Sequence, residues 1–384
     1  MQKLVSAIHA TPFKVVLAVT GGGSAAISEL LKVAGASNTL LEAIVPYSES
    51  SLKDYIESAL IRKNGSFSIQ QSCSMDTARK MAMAAWKRAL MLDPMADHDD
   101  LMGIGCTAAL STNRDRKGNV RAFVAVQTNR ETRIASLDFE HPEYEKGTRG
   151  NRFLEEQLTS EFILHNLAEA TGVTNNFIPA PKQKLTIARA PEIWPDLYSR
   201  ELVSTFDNKE QLPVFSGSFN PLHEGHEKMI DIARKRLGME VILEICINNV
   251  DKLPLDFIEI NHRLDQIAGK YPVTFTNAPR FLEKASLFPG STFIVGTDTI
   301  KRLADIRYYR QPEELDMALS FFESNNNRFL VFCRDSGEGL ERLEDLKLPD
   351  ILLGRCEAVP PEEFHLNISS SKLRNQLDAK GNMI

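Results

Sequence analysis

The sequence has no apolar run of membrane-spanning length and no long apolar stretch near its N-terminus, so neither a membrane anchor nor an export signal is expected. Cysteine is scarce: Cys73, Cys106, Cys246, Cys333 and Cys356 are odd in number, scattered, and mostly set in apolar stretches. None of their spacings suits a metal, and reduced thiols in a cytoplasmic protein are the expectation. Positive charge is not in excess, with 45 Lys and Arg against 51 Asp and Glu and a net charge of −6. Nucleic-acid binding normally leaves a basic footprint, so that partner class is not expected. No internal repeat relates the two halves. What remains is ordinary for a globular protein, 43% apolar and 25% charged, and 384 residues suffice for two domains with separate cores.

The most informative stretch is Gly217-Ser218-Phe219-Asn220-Pro221-Leu222-His223-Glu224-Gly225-His226. It follows an apolar run at 212–215 that reads as a buried strand, and leads into 228–237, where Met229, Ile230, Ile232, Ala233 and Leu237 recur at helical spacing. In an open α/β sheet, ligands bind outside the carboxyl ends of strands. Gly217 and Gly225 lack a Cβ, so backbone N–H groups there could approach a phosphate closely. The helix start adds unpaired donors and partial positive charge. His223 and His226 would face one anion from the same side and donate to it as charge builds on phosphorus. From these residues alone, ordinary capping or surface histidines fit equally well.

A second motif, Asn367-Ile368-Ser369-Ser370-Ser371-Lys372-Leu373-Arg374, sets three hydroxyls before a helix and an arginine one turn on. It reads as helix caps or as a second phosphate cradle.

With both motifs in hand, residues 212–378 resemble the nucleotidylyltransferase superfamily, and within it are most similar to nicotinamide/nicotinate mononucleotide adenylyltransferases. Residues 217–226 match that family's opening motif and 368–374 its closing one, with Ser371 in a threonine position. Phe293-Ile294-Val295-Gly296-Thr297-Asp298 matches its Gly-x-Asp after a strand, and Phe329-Leu330-Val331-Phe332-Cys333-Arg334 its strand ending in Arg. The resemblance implies that His223 and His226 contact the triphosphate and stabilise the transition state at the α-phosphorus. It implies that Gly217, Ser218, Phe219, Asn220 and Gly225 belong to the nucleotide site. Ser369, Ser370 and Arg374, beside Ile368, would hold the β- and γ-phosphates, and Gly296 and Asp298 would receive the adenosine ribose. Lys252 falls where the family places a lysine near the acceptor phosphate, and also reads as a solvated loop residue. Arg263 reads as catalytic or structural. Where the family usually has a tryptophan beside the acceptor base this chain has Ile306, with Tyr308 or Tyr309 as other flat partners. The implied reaction is in-line attack of an acceptor phosphate on the α-phosphorus of ATP, governed by positioning and charge neutralisation. Mg²⁺ bridging the triphosphate is expected, without an all-protein metal cage.

The first half is a different object. Strands are expected at 13–19, 40–45, 101–106, 120–127 and 132–139, and helices after Ser24, at 51–62, at 76–91 and at 150–170. Thr20-Gly21-Gly22-Gly23-Ser24 forms a Gly-rich strand-to-helix turn. With Ile44-Val45-Pro46-Tyr47-Ser48, residues 73–82 and Arg149-Gly150-Asn151-Arg152, residues 1–170 resemble the CinA-type C-terminal domain, whose active members remove the amide of nicotinamide mononucleotide. That likeness implies a pocket at Thr20, Gly21, Gly22 and Tyr47, with Lys53 nearby. Ala18, however, occupies the position of the serine nucleophile and has no oxygen with which to attack. Unless Thr20 or Ser24 substitutes for it, the domain lacks amidase activity and binds a pyridine nucleotide or mediates assembly.

The expected fold is therefore α/β in two domains: a CinA-C-like α/β/α domain at 1–171, a linker at 172–210 rich in proline and asparagine, and a Rossmann-like parallel sheet at 211–384. The leading function is adenylyl transfer to nicotinamide or nicotinate mononucleotide by a cytoplasmic homo-oligomer that binds ATP and a mononucleotide. The alternatives are transfer to another phosphate acceptor (cytidylyltransferase-like or phosphopantetheine adenylyltransferase-like) and pyridine-nucleotide binding without turnover.

Overall fold

A computed structural model of the protein describes residues 1–61, 68–113, 119–139, 151–174, 183–191, 193–199, 202–205, 211–249, 252–267, 269–309, 311–335, 339–364, 370 and 373. The chain divides into two units, Met1–Pro195 with Asn249–Glu259, and Asp196–Asn248 with Ile260–Ile384.

In the first unit the elements run α1 (Gln2–His9), β1 (Lys14–Thr20), α2 (Ala25–Leu31), α3 (Ala36–Thr39), β2 (Leu40–Ile44), α4 (Glu49–Glu57), α5 (Met75–Leu92), β3 (Leu101–Ala109), β4 (Arg121–Gln127), β5 (Glu131–Asp138), α6 (Arg152–Ala170) and β6 (Lys184–Arg189). The sheet order is β2-β1-β3-β4-β5-β6. The first three neighbours are parallel, and every pair from β3 onward is antiparallel. Strand β1 is Val-rich because both its faces are buried. Val15, Leu17 and Val19 join the core with Val5, Ala26, Leu30 and Phe162, while Ala18 meets Leu52, Tyr55, Ile56, Met81 and Ala84 on the opposite side. Helix α5 lies directly on β3, since a Cβ added at Gly103 would sit 2.1 Å from the Trp86 backbone nitrogen, and one at Gly105 2.3 Å from the Ala78 carbonyl oxygen. Strand β6 falls in the stretch expected to link the domains, and it extends this sheet by pairing with β5.

Residues 249–259 pack as part of this unit, although the sequence reads them within the second domain. Arg79 ties this stretch to the unit: its Nε and Nη2 donate to Asp256 at 2.7 and 2.9 Å, and Nη2 also reaches Glu259 at 3.2 Å.

The remaining elements are α7 (Trp194–Ser199), β7 (Val214–Ser216), α8 (Glu224–Leu237), β8 (Ile242–Cys246), α9 (Phe257–Ile267), β9 (Val273–Thr276), α10 (Phe281–Leu287), β10 (Thr292–Gly296), α11 (Thr297–Leu303), α12 (Pro312–Ser324), β11 (Arg328–Phe332), β12 (Arg334–Asp335), β13 (Leu340–Glu341), α13 (Asp350–Leu353) and β14 (Cys356–Val359). The second unit's sheet is parallel throughout, in the order β14-β11-β10-β7-β8-β9. Counted from β7, that is the doubly wound order, and the winding reverses between β7 and β10. The loops leaving those two strands therefore diverge and open a crevice at their carboxyl ends. Beneath it, Lys284 on α10 donates to both Glu244 oxygens at 2.6 and 2.7 Å, a buried pair that Thr276 Oγ1 also joins.

Candidate active site

Residues 217–223 form the turn between β7 and α8. Gly217 N–H donates to the Glu244 carbonyl at 3.0 Å, so it is engaged in the sheet. A Cβ at Gly217 would lie 2.8 Å from the Phe219 ring. The missing Cβ leaves room for Phe219 to fold back over this glycine. Phe219 takes a φ of 42°, in the left-handed region, and its buried ring meets Phe215 edge-on with centroids 5.3 Å apart. Helix α9 holds the turn at two points. Arg263 Nε donates to the Ser218 carbonyl at 2.9 Å, and Leu222 N–H donates to Gln266 Oε1 at 3.1 Å. Arg263 is buried, and this contact is in keeping with its structural reading. Asn220 lies in the same turn, joined to Pro221 by a cis peptide bond.

His223 is the N-cap of α8 and His226 sits in its first turn. Their rings stack, with centroids 3.7 Å apart and planes 18° from parallel. Gly225 makes the stack possible, because a Cβ there would be 3.1 Å from the His223 ring. Phe215 and Phe219 present their edges to His226 at 5.7 and 5.1 Å. Burial in this aromatic box, then the neighbouring His223 and the Arg334 charge, push His226 down to about 3. His223 is also lowered, by burial first and by Arg334 less strongly, against the opposing pull of Glu224 and Glu227. Both imidazoles are therefore neutral at physiological pH. The His223 backbone N–H donates to His226 Nδ1 at 3.3 Å, which leaves the His226 proton on Nε2. His223 Nδ1 is buried with no hydrogen-bond partner among the described residues.

Across the switch point, Gly296 ends β10 and Asp298 stands in the first turn of α11. The Asp298 carboxylate folds over Gly296, where a Cβ would meet Oδ1 at 2.7 Å. Its Oδ2 accepts from Arg334 Nη1, just past β11. Sequence reasoning gave Arg334 no role of its own, although the motif ending its strand marked the position.

The closing motif reaches the opening one: Ser370 Oγ donates to the Pro221 carbonyl at 3.1 Å, two residues before His223. Ile368, Ser369 and Arg374 lie outside the described residues. Lys252 belongs to the 249–259 stretch that packs in the first unit. Of the residues expected beside the acceptor base, Ile306 is exposed, and the Tyr309 hydroxyl donates to the Leu303 carbonyl at 2.9 Å.

In the Gly-rich turn of the first unit, several donors are engaged within the protein. Gly23 N–H and Ala25 N–H donate to the Glu156 carboxylate at 2.7 and 3.3 Å, and Ser24 Oγ donates to it at 2.9 Å. Thr20 Oγ1 donates to the Pro46 carbonyl at 3.0 Å. Gly21 has a φ of 81° and a Cβ there would lie 1.9 Å from the Ala108 carbonyl oxygen, while one at Gly22 would strike Leu110. Close packing against the Ala108 backbone and the Leu110 side chain therefore accounts for these glycines. Tyr47 is 66% exposed. Behind the turn, burial pushes the Cys106 thiol up, which removes it as a nucleophile.

Among the described residues no cluster of three or more His, Cys, Asp or Glu could hold a metal ion, and no helix is long and apolar enough to cross a membrane.

Residues 214–376 match the cytidylyltransferase-like family model. A Fusobacterium nucleatum protein named "Probable nicotinate-nucleotide adenylyltransferase" is 25% identical over 189 residues, covering 44% of this chain and 89% of its own length. Solved structures similar to this chain over 44% of its length include the competence/damage inducible protein CihA of Agrobacterium tumefaciens, 16% identical with a TM-score of 0.34 and 94% of that chain covered. They also include a competence-damaged protein (CinA) superfamily protein of Escherichia coli, 18% identical with a TM-score of 0.33 and 88% of that chain covered.

Proposed function

We propose that this chain, whose residues 214–376 form a cytidylyltransferase-like nucleotidyltransferase domain, moves the adenylyl group of ATP onto the phosphate of nicotinate or nicotinamide mononucleotide and releases pyrophosphate. The observation that carries this reading is the convergence of two distant motifs on one crevice. The stacked His223 and His226, Asp298 with Arg334, and Ser370 on the Pro221 carbonyl all gather where the sheet reverses its winding. The name of the Fusobacterium nucleatum relative supports the choice of acceptor.

On this reading the acceptor phosphate attacks the α-phosphorus in line as the bond to pyrophosphate breaks. Both reactants are anions, so the protein's contribution is orientation and neutralisation. Neutral imidazoles can donate from Nε2 to phosphate oxygens without being reprotonated between turnovers, and their effect grows as charge accumulates on those oxygens. Asp298 can accept from ribose hydroxyls, as acceptor-only carboxylates do. Mg²⁺ accompanying ATP would neutralise triphosphate charge when bound. Its coordination would come mainly from phosphates and water.

In the first unit, we read Ala18 as a lost nucleophile and assign no amidase reaction. The test of the whole reading is to incubate the purified chain with Mg²⁺, ATP or CTP, and a panel of acceptors that includes both mononucleotides and phosphopantetheine, while following pyrophosphate. Release that requires ATP and a pyridine mononucleotide is expected. Release with CTP or phosphopantetheine alone would redirect the assignment.

A further inference from the structure

Helix α9 belongs to both units: its residues 257–259 pack with the first and those from Ile260 onward with the second. Its start is fixed within the first unit. Arg79 on α5 forks onto Asp256 and also reaches Glu259. The Arg79 and Asp256 side chains are only 12% and 8% exposed, so little water competes for this charged contact. Asp256 Oδ1 also accepts the Glu259 N–H at 2.9 Å, so one carboxylate both caps the helix and receives the arginine. Thr132 Oγ1 on β5 accepts the Phe257 N–H at 3.0 Å, and Ile258 packs on the cluster of Ala78, Phe123 and Ile134.

The rest of α9 is fixed on the imidazole turn. Arg263 and Gln266 are three apart and so share a helix face, and they hold the Ser218 carbonyl and the Leu222 N–H. These two contacts bracket residues 219–221, and His223 follows at once. A helix of 11 residues is about 16 Å long and hydrogen-bonded along that length, so its two ends do not turn independently.

We propose that Arg79, a residue of the first unit, is a positioning residue for nucleotidyl transfer: by fixing the rotation and axial position of α9, it sets where the 217–223 turn holds His223 and His226. The catalytic consequence rests on the adenylyl-transfer reading, whereas the hold on the turn does not. This gives the first unit, whose Ala18 supplies no nucleophile, a part in the reaction of the second. An arginine that merely stabilised its own unit would lower stability on substitution and leave the turn unchanged.

The experiment compares wild type, Arg79→Gln, Gln266→Ala and the double variant in the full chain. In Arg79→Gln, hydrogen exchange read by mass spectrometry should quicken about fivefold or more in peptides spanning 217–226, while peptides spanning 292–296 in β10 exchange as in wild type. The kcat for adenylyl transfer should fall about tenfold, because small displacements of a positioned group are costly. Gln266→Ala frees the turn from α9 at one of its two contacts. Adding Arg79→Gln to it should therefore lower kcat by clearly less than the product of the two single losses, whereas independent sites would multiply. Unchanged exchange at 217–226, a kcat within about twofold of wild type, or losses that multiply in the double variant overturns the proposal. Should Arg79→Gln fail to fold, Asp256→Asn tests the same link by the same outcomes, since Asn keeps the capping oxygen while weakening the hold of Arg79. If wild type transfers no nucleotide at all, the functional reading fails by itself, and the exchange measurement still decides whether Arg79 governs the turn.

Discussion

The rings of His223 and His226 lie 3.7 Å apart, and the backbone N–H of the first fixes the proton of the second on Nε2. With Nδ1 accepting that N–H, Nε2 of His226 is the ring's donor. Replacing His226 by alanine removes that donor and opens space between Phe215 and Phe219, at the edge of the core. His226→Ala should therefore fold, with an unchanged circular dichroism spectrum, yet lose about 10²–10³-fold in kcat for adenylyl transfer. Turnover equal to wild type would take His226 out of the chemistry.

His226 should also behave unusually on acidification. Its folded value of about 3 lies below the ordinary 6.5, so between those limits the unfolded chain binds the proton that the folded chain refuses. Stability from this group is complete above 6.5 and falls as pH drops toward 3. In denaturation experiments at pH 7 and pH 5, wild type should lose more stability than His226→Gln, where the group is absent. Equal losses in the two proteins would show that His226 titrates normally.

The sequence carried much of this. Strand and helix periodicity located β1 through β5 and α5 within a few residues, because buried parallel strands and amphipathic helices impose patterns on their own segments. The Gly-His motif located the imidazoles where a strand hands over to a helix, at the carboxyl end of β7. Periodicity could not show why the glycines are there. Gly217, Gly225 and Gly296 each accommodate one side chain (Phe219, His223 and Asp298), and those contacts depend on rotamers rather than on spacing. Nor could it place residues 249–259, whose attachment depends on Arg79 finding Asp256 across 177 positions of chain. Strand β6 was equally hidden: its alternation is weak because it is an exposed edge strand.

The Glu244–Lys284 pair bears on stability rather than chemistry. Both side chains are nearly fully buried, and the Glu244 carbonyl also receives the Gly217 N–H at the base of the site. Lys284→Ala would strand a carboxylate in the interior and should cost about 3–5 kcal/mol. Urea unfolding of the second unit would measure it. The double variant Glu244→Leu with Lys284→Met should recover most of the loss, since apolar replacement of a buried pair is often tolerated. A single variant as stable as wild type would mean that water reaches the pair.

The last prediction concerns the first unit, where an amide-cleaving reaction would need a nucleophile and a place for an anion. Ala18 supplies no oxygen, and its methyl packs among Leu52, Ile56 and Met81. Ala18→Ser would bury a hydroxyl in that apolar cluster, at a cost of about 1–3 kcal/mol, without pointing it at a substrate. The donors of the Gly-rich turn are meanwhile held by Glu156, a negative charge that any anionic ligand would have to displace. Wild type, Ala18→Ser and Glu156→Gln should therefore all release no ammonia from nicotinamide mononucleotide. Ammonia from wild type that disappears in Tyr47→Phe would reverse this conclusion. It would also require the exposed Tyr47 ring to move onto the substrate and Glu156 to leave the turn.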